Sequence, residues 1–282
     1  MFDWLKTKRR ERALAANAIP DDDWAAALHE LPFLDHYAPD ALSRLRELTT
    51  LFLVEKSIVS GATSGEYALE VTPHMRILIA VQASLLLLGR AVSVTDAMRD
   101  YDGWENVVVY PGDFPRTQDY EDEAGVVHRL NETIAGESWY GGPVLLSWPA
   151  VEAGYDESGM ALVIHEFAHK IDMLDGDVNG IPPMPNRVAH DAFKAAINAA
   201  YEDFCARVDA GEDTAIDPYA AELIDEFFAV TCEVFFAEPE LLQHEYADYF
   251  AQLEIYFHID PIAGAVVAAY GGQPITVRLR SL

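Results

Sequence analysis

The first third of the sequence has the apolar periodicity of amphipathic helices. Between Asp23 and Leu53, leucines recur at intervals of three and four residues, and Pro32 and Pro39 interrupt the pattern. Because this spacing places side chains on one helical face, it predicts a succession of short helices. The longest apolar run, Ile77 to Gly89, is shorter than the roughly 20 residues that a bilayer requires. It therefore predicts a buried helix.

The middle of the chain changes to the pattern of strands. β-branched and apolar runs bounded by Gly, Pro and Asp extend from Asn106 to Tyr110, from Val126 to Leu130 and from Pro143 to Trp148. These runs predict three short strands. Beyond Asp156 the spacing is helical again, except that apolar and polar residues alternate from Pro274 to Arg280, as in a late strand.

Length and composition are those of a globular protein. The chain has 282 residues, of which 51% are apolar and 23% charged, which excludes a largely disordered chain. We expect one domain over residues 1–282, with a mostly helical part at 1–100 and the sheet with the remaining helices at 101–282. The predicted fold class is therefore α+β and mainly helical.

The chain is strongly acidic. It has 19 Lys and Arg against 47 Asp and Glu, a formal charge of −28, which repels phosphate backbones and anionic lipids, so we expect neither nucleic acid nor a membrane as partner. Cys205 and Cys232 form no C-x-x-C pair, and no targeting segment is evident, which favours the cytoplasm. Trp4 lies beside five basic residues between Lys6 and Arg12. This segment is either a weak surface anchor or a tail whose Trp4 docks on the acidic body.

An H-E-x-x-H run carries the clearest chemistry. It spans His165 to His169 within a helical stretch from Ala161 to Leu174, with Gly176 as the expected C-cap. Four residues are just over one turn, so both imidazoles and Asp172 leave the same face. Two such imidazoles can hold one tetrahedral Zn²⁺, and Glu166 can take a proton from water at the metal. Chance produces this run about 0.02 times in such a composition. The alternative is a pair of hydrogen-bonded core histidines.

A catalytic zinc needs a third protein ligand, and the familiar spacings do not supply it. About 20 residues past His169 stand Val188 and Ala189 rather than glutamate. Asp172 and Asp175 replace the glycine and the third histidine of the metzincin motif. The third ligand must therefore come from farther along the chain.

A second apolar segment carries three candidate carboxylates. Tyr219 to Phe236 predicts a helix in which Glu222, Glu226 and Glu233 fall within about 40° of one another. Burial of a carboxylate costs on the order of several kcal/mol of folding free energy unless a cation or good hydrogen-bond donors neutralise it. A zinc ion on the two histidines is such a cation. Helical geometry alone does not choose among the three, and the alternative is a solvated acidic edge of the helix.

These residues resemble the Mlc titration factor A family of bacterial zinc peptidases, whose catalytic core is similar to that of anthrax lethal factor. The similarity includes His165 to Asp172 together with Tyr219 and Glu226. It extends to the Trp4 segment and to Val107–Pro111, Gly142–Trp148, Asp156–Gly159 and Glu226–Val230. The resemblance implies a zincin-like domain with the small sheet beside the H-E-x-x-H helix.

The resemblance also implies roles for individual residues. His165, His169 and Glu226 are implied as ligands of one zinc ion, Glu166 as the general base and Tyr219 as the hydrogen-bond donor to the transition state. Glu233 and Asp172 are interpreted as partners of the ligand imidazoles outside the metal's own shell, or else as ordinary hydrogen-bonded or solvated carboxylates.

The implied activity is that of a cytoplasmic zinc-dependent aminopeptidase acting on peptides. Members of the family have the glucose-regulated repressor Mlc as partner, and this chain departs from them by extra residues around Asp96 to Asp102 and a longer acidic C-terminal part. The alternative function is a protein that sequesters a transcriptional repressor and uses zinc structurally. Three protein ligands favour catalysis, because a structural zinc normally has four.

Two further expectations concern geometry. Seven helical residues separate Tyr219 from Glu226 and span about 10 Å, so the chain must bend, or begin its helix later, for Tyr219 to reach the metal. Pro143 to Trp148 is either an edge strand that binds an extended peptide or an ordinary core strand.

Overall fold

The computed structural model describes residues 2–62, 68–121, 127–139, 141–154 and 161–267. The helices are α1 (Phe2–Ala16), α2 (Asp21–His29), α3 (Pro39–Glu55), α4 (Pro73–Leu85), α5 (Val94–Ala97), α6 (Trp148–Ala153), α7 (Leu162–Asp172), α8 (Arg187–Asp209), α9 (Ile224–Ala237), α10 (Pro239–Glu245) and α11 (Ala247–Phe257). Short 3-10 helices lie at Pro32–Leu34, Met98–Tyr101, Met173–Asp175 and Pro218–Ala221. The strands are β1 (Ser57–Ser60), β2 (Asn106–Tyr110), β3 (Phe114–Glu121), β4 (Val127–Ile134), β5 (Gly136–Ser138), β6 (Val144–Ser147), β7 (Ile259–Asp260) and β8 (Ala265–Val266).

A four-stranded mixed sheet lies beside the H-E-x-x-H helix. Its order is β1-β2-β6-β5. The first three strands are parallel, with Ile58 opposite Val107 and Val107 opposite Val144, and β5 runs antiparallel along β6. Helix α7 packs against β5 and β6. The fold is therefore α+β and mostly helical, as predicted, and β5 is the strand at the edge next to α7.

The predicted strands are confirmed in part. β2 has the predicted bounds, β6 lies within Pro143 to Trp148, and β4 continues past Leu130 to Ile134. Because β6 lies between β2 and β5, the edge-strand alternative for that segment is wrong. Val126, Pro274 to Arg280 and Asp156 to Gly159 lie outside the described residues.

Five of the described strands were not predicted: β1, β3 and β5, and the short pair β7 and β8, which lies in the part expected to be helical. β1 lies in the part expected to be mostly helical and pairs with β2. β3 pairs with β4 although it contains Pro115 and no apolar alternation. β5 has only three residues, Gly-Glu-Ser, which carry no strand signal.

The predicted helices of the first hundred residues are confirmed. Pro32 and Pro39 each begin an element, a 3-10 helix and α3, where a proline's missing N–H is tolerated. The apolar run that starts at Ile77 belongs to α4, which is buried almost throughout and ends at Leu85. Among the described helices, none has both the length and the apolarity that a membrane span requires.

Helix α1 docks on the body through an arginine rather than through its tryptophan. Arg10 is 2% exposed, and its guanidinium binds Glu55 at 2.7 Å and donates to the backbone oxygens of Thr95 and Met98. Trp4 is 63% exposed. The expectation that Trp4 docks on the acidic body is therefore wrong, because the buried face of the helix is the one that carries Arg10.

An aromatic cluster fixes the back of α7. The ring of Phe167 is fully buried, with its centroid 5.6 Å from that of Phe52, 5.3 Å from Tyr101 and 5.7 Å from Trp104. Contacts of this geometry add about 0.5–1.5 kcal/mol per pair to the burial of the rings. They hold α7 against the N-terminal part of the chain while its opposite face stays available to the cleft.

Candidate metal centre

Helix α7 presents the two histidines on one face. All 11 of its residues are buried, and its far side carries Val163, Ile164 and Ile171 in the core. The helix is followed by a 3-10 turn that ends at Gly176, whose φ of 97° is left-handed, so the expected glycine cap is confirmed. The apolar back and the polar front predicted for this helix are therefore both present.

The second segment is not one continuous helix. Tyr219 lies in a 3-10 helix that begins at Pro218, Leu223 is extended (φ −144°, ψ 157°), and α9 begins at Ile224. The predicted helix from Tyr219 to Phe236 is wrong in this respect, whereas the predicted bend before Glu226 is confirmed. Asp217 caps the short helix, because its Oδ1 accepts the Tyr219 N–H at 2.9 Å. Together, Asp217 and Pro218 start a separate turn here.

The bend separates the three glutamates. Glu222 lies before α9 and is exposed, whereas Glu226 and Glu233 lie two turns apart on α9 and line the cleft. Of the three carboxylates predicted to share one helical face, Glu226 and Glu233 therefore do so and Glu222 does not.

Three side-chain atoms converge between α7 and α9. The Oε2 atom of Glu226 lies 3.1 Å from Nε2 of His165 and 3.4 Å from Nε2 of His169, and the two Nε2 atoms are 3.2 Å apart. Ligands of a tetrahedral zinc at about 2.0–2.1 Å lie about 3.3 Å from one another. The buried Oε2 atom has no hydrogen-bond partner among the described residues. The donor set and its spacing therefore fit a zinc ion.

Glu233 fixes the first imidazole from the side away from this triangle. Its Oε1 atom accepts from Nδ1 of His165 at 2.8 Å, and its other oxygen accepts the backbone N–H of Ala161. A proton on Nδ1 leaves the lone pair of Nε2 free for a metal. Burial lowers the pKa of His165, but Glu226 and Glu233 outweigh it, so that the pKa is raised well above its ordinary value.

Asp172 makes a different contact from the one expected. Its Oδ2 atom accepts the backbone N–H groups of Asn179 and Gly180, each at 2.9 Å. Its Oδ1 atom and Nδ1 of His169 each have no hydrogen-bond partner among the described residues. Asp172 thus anchors the loop after α7, and burial raises its pKa to about 6.

Glu166 is held by the edge strand β5. Its Oε2 atom lies 2.8 Å from the Ser138 hydroxyl. A Cβ atom at Gly136 would lie 2.2 Å from its Oε1 atom, so only glycine leaves room for this carboxylate. Burial raises the pKa of Glu166, which favours a base near neutrality. Neither Gly136 nor Ser138 carried a signal in the sequence, because a Gly-Glu-Ser strand has no apolar alternation.

The two histidines, Glu166, Glu226 and Glu233 line a cleft of about 450 Å³ between β5, α7 and the start of α9. Tyr219 is 40% exposed at its rim, and its ring centroid is 6.2 Å from that of His165. Burial and the neighbouring carboxylates of Glu226 and Glu222 raise the pKa of its hydroxyl, which keeps the group protonated. Trp139 and Val178 add apolar surface to the same cleft.

Comparison with known proteins identifies the family of this chain. The family model described as glucose-regulated metallo-peptidase M90 matches residues 5–258. Proteins named Mlc titration factor A are similar over most of their length. The one from Pectobacterium atrosepticum is 33% identical over 247 residues (86% of this chain and 88% of the relative). The one from Klebsiella pneumoniae is 34% identical over 242 residues (85% and 86%). The one from Yersinia enterocolitica is 33% identical over 269 residues (93% and 93%).

The resemblance inferred from the H-E-x-x-H segment is thereby confirmed, and the residues that the family model matches include the candidate metal centre and the four-stranded sheet. The chain belongs to the glucose-regulated metallo-peptidase M90 family.

Proposed function

We propose that this chain is a zinc-dependent peptidase, and more narrowly an aminopeptidase, with a zincin-like catalytic core. The observation that carries the proposal is the triangle of His165, His169 and Glu226, whose edges of 3.1–3.4 Å are those of a tetrahedral zinc site. These three residues would hold one zinc ion. The ion would supply Lewis acidity toward water and the substrate carbonyl.

The protein's own groups supply the proton transfers. Glu166 lies in the cleft beside the ligands and is held by Ser138. It takes a proton from the attacking water and passes it to the leaving amine, a double role that suits a carboxylate whose pKa is raised by burial. Tyr219 is protonated at the rim of the cleft, and it donates a hydrogen bond to the oxyanion as that charge develops.

Strand β5 gives an extended peptide a place to bind. It is the edge strand of the sheet and lines the cleft along its whole length. A substrate that pairs with it would be held by backbone hydrogen bonds, which bind many sequences alike. The residues that hold Glu166 belong to this strand, so the bound peptide lies beside the base.

The proposal includes the organisation of the chain and its location. One buried core joins residues on both sides of position 100, such as Phe52 and Phe167, which supports one metallopeptidase domain over residues 1–282. Both cysteines are free, which supports a reducing compartment, and we place the protein in the cytoplasm.

The test is hydrolysis of amino-terminal chromogenic peptides by the purified protein. We expect activity that a chelator abolishes and zinc restores. Glu166→Gln should retain zinc and lose about 10²–10⁴ in turnover, whereas Glu222→Gln, an exposed glutamate outside the cleft lining, should behave as wild type. A Glu166→Gln protein of normal activity would exclude this mechanism.

A second candidate function is binding of a Mlc-like repressor, which the printed name of the relatives, Mlc titration factor A, supports. In that case zinc would serve structure. A purely structural zinc normally has four protein ligands, whereas the described residues bring three together, which argues against that role. Binding of a repressor of this type to the wild type and to Glu166→Gln, measured side by side, separates the two functions, because repressor binding does not need the base.

A further inference from the structure

The cleft contains more carboxylates than the proposed chemistry uses. Besides the three glutamates of the metal centre, its lining includes Glu137, Asp217 and Asp225. Asp217 is engaged in local structure, since it caps the 3-10 helix through the Tyr219 N–H. Asp225 has no comparable partner and lies closest in sequence to a proposed ligand.

Asp225 is the second residue of α9 and directly precedes Glu226. Its side chain is half-buried and lines the same cleft as the imidazoles of His165 and His169. None of the other described residues donates a hydrogen bond to this carboxylate. An aspartate in the first turn of a helix ordinarily serves the helix dipole, but such residues are usually solvated, whereas this one lines the cleft.

The stereochemistry of a peptide end explains why this position matters. The α-amino nitrogen is two bonds from the carbonyl carbon of its own residue, a separation of about 2.5 Å. If the first carbonyl of a peptide lies at the metal centre, its ammonium group lies within a few ångströms of the ligands. A carboxylate that lines this cleft directly before a proposed ligand lies on the side where that group would bind, and an ammonium–carboxylate pair is a charge-assisted hydrogen bond.

We propose that Asp225 binds the protonated α-amino group of the substrate and so makes the protein select peptides with a free N-terminus. This inference rests on the proposed peptidase function and adds the residue that restricts it to aminopeptidase action. The ligand class is a primary ammonium group next to a scissile carbonyl. An acylated N-terminus has neither the charge nor the donors to pair with Asp225.

The experiment compares alanine p-nitroanilide with its N-acetyl derivative. The ratio of the two kcat/KM values is measured for each variant, because the ratio is independent of the fraction of active enzyme. Wild type should prefer the free amine. Asp225→Asn should lose about 10- to 100-fold in kcat/KM on the free amine, mainly through KM, as expected for one charge-assisted hydrogen bond. Its rate on the acetylated substrate should change little.

Asp248→Asn is the matched control, since Asp248 is an exposed aspartate at the second position of α11. It tests the effect of removing a helix-terminal charge away from the cleft lining, and its ratio should equal that of wild type. An unchanged ratio in Asp225→Asn, or a wild type that cleaves both substrates equally, would overturn the role of Asp225 while leaving the peptidase intact. A wild type that cleaves neither substrate would instead remove the proposed function itself.

Discussion

Replacement of Glu233 by alanine tests how the metal centre is built. The substitution removes the acceptor of the His165 Nδ1–H, a bond of 2.8 Å, and the acceptor of the Ala161 N–H. It leaves the three converging atoms of His165, His169 and Glu226 in place. The protein should therefore keep a zinc site of reduced affinity.

The magnitude has two independent parts. Loss of a carboxylate that orients a ligand imidazole lowers metal affinity by about 10- to 100-fold, which is about 1.4–2.7 kcal/mol. The unpaired Ala161 N–H at the start of α7 costs about 1–3 kcal/mol of folding stability. The second cost is present without metal, whereas the first appears only when zinc binds.

The assay is competition for zinc against a chelator of known affinity, with urea denaturation of the metal-free protein alongside. Glu226→Ala should lose zinc almost completely, because it removes one of three proposed ligands. Glu222→Ala is the control, since that side chain is exposed and outside the lining of the cleft. If Glu233→Ala were the metal-free variant and Glu226→Ala retained zinc, the ligand assignment would be wrong by two helical turns.

Three further predictions concern other residues. Tyr219→Phe should retain zinc and lose up to about 10²–10³ in kcat with little change in KM; steady-state kinetics showing an unchanged kcat would return Tyr219 to a packing role. Lys170 donates to the backbone oxygens of Trp139 and Gly142 in the turn between β5 and β6, so Lys170→Met should raise KM and cost about 1–3 kcal/mol of unfolding free energy, and urea titrations showing neither effect would contradict this. Burial and Asp260 raise the pKa of Glu254 to about 7, so ionisation of this side chain opposes folding increasingly as the pH rises from about 4.5 to 7. Glu254→Gln should therefore be more stable than wild type by about 1 kcal/mol at pH 8, a value discounted for solvent screening. At pH 4 the two proteins should be equally stable. A constant difference across that pH range would refute the assignment.

The parts of the site that were predictable are those encoded locally. The spacing of His165 and His169 specifies a shared face as soon as the segment is helical. The choice of Glu226 could not follow from helical geometry, because it depends on the extended residue Leu223, where the predicted helix is interrupted. That break moves Glu222 away from the helical face that carries Glu226 and Glu233. It arises from the packing of the whole chain and has no counterpart in the periodicity of the sequence.

Strand β5 was not predictable for a different reason. Its three residues have no apolar alternation, and they are a strand only because β6, which follows them, supplies the hydrogen-bonding partner. Strand β1 was not predictable for the same reason, since its partner β2 lies about 50 residues later in the chain. The helix that carries the histidines was therefore predictable from the sequence, whereas the strand that faces it was not.

The contacts of β5 would connect the proposed binding of a peptide to the position of Glu166, the proposed general base. Ser138 bonds the Glu166 carboxylate, and Gly136 leaves that carboxylate its only room, so the same strand sets the base from one side. Strand β5 pairs with β6 on one side, and its free edge borders the cleft on the other. A peptide that paired with β5 would restrain the strand that positions Glu166. Peptides that pair well with β5 should therefore improve the placement of the base as well as bind more tightly. Longer peptides should accordingly show a higher kcat as well as a lower KM.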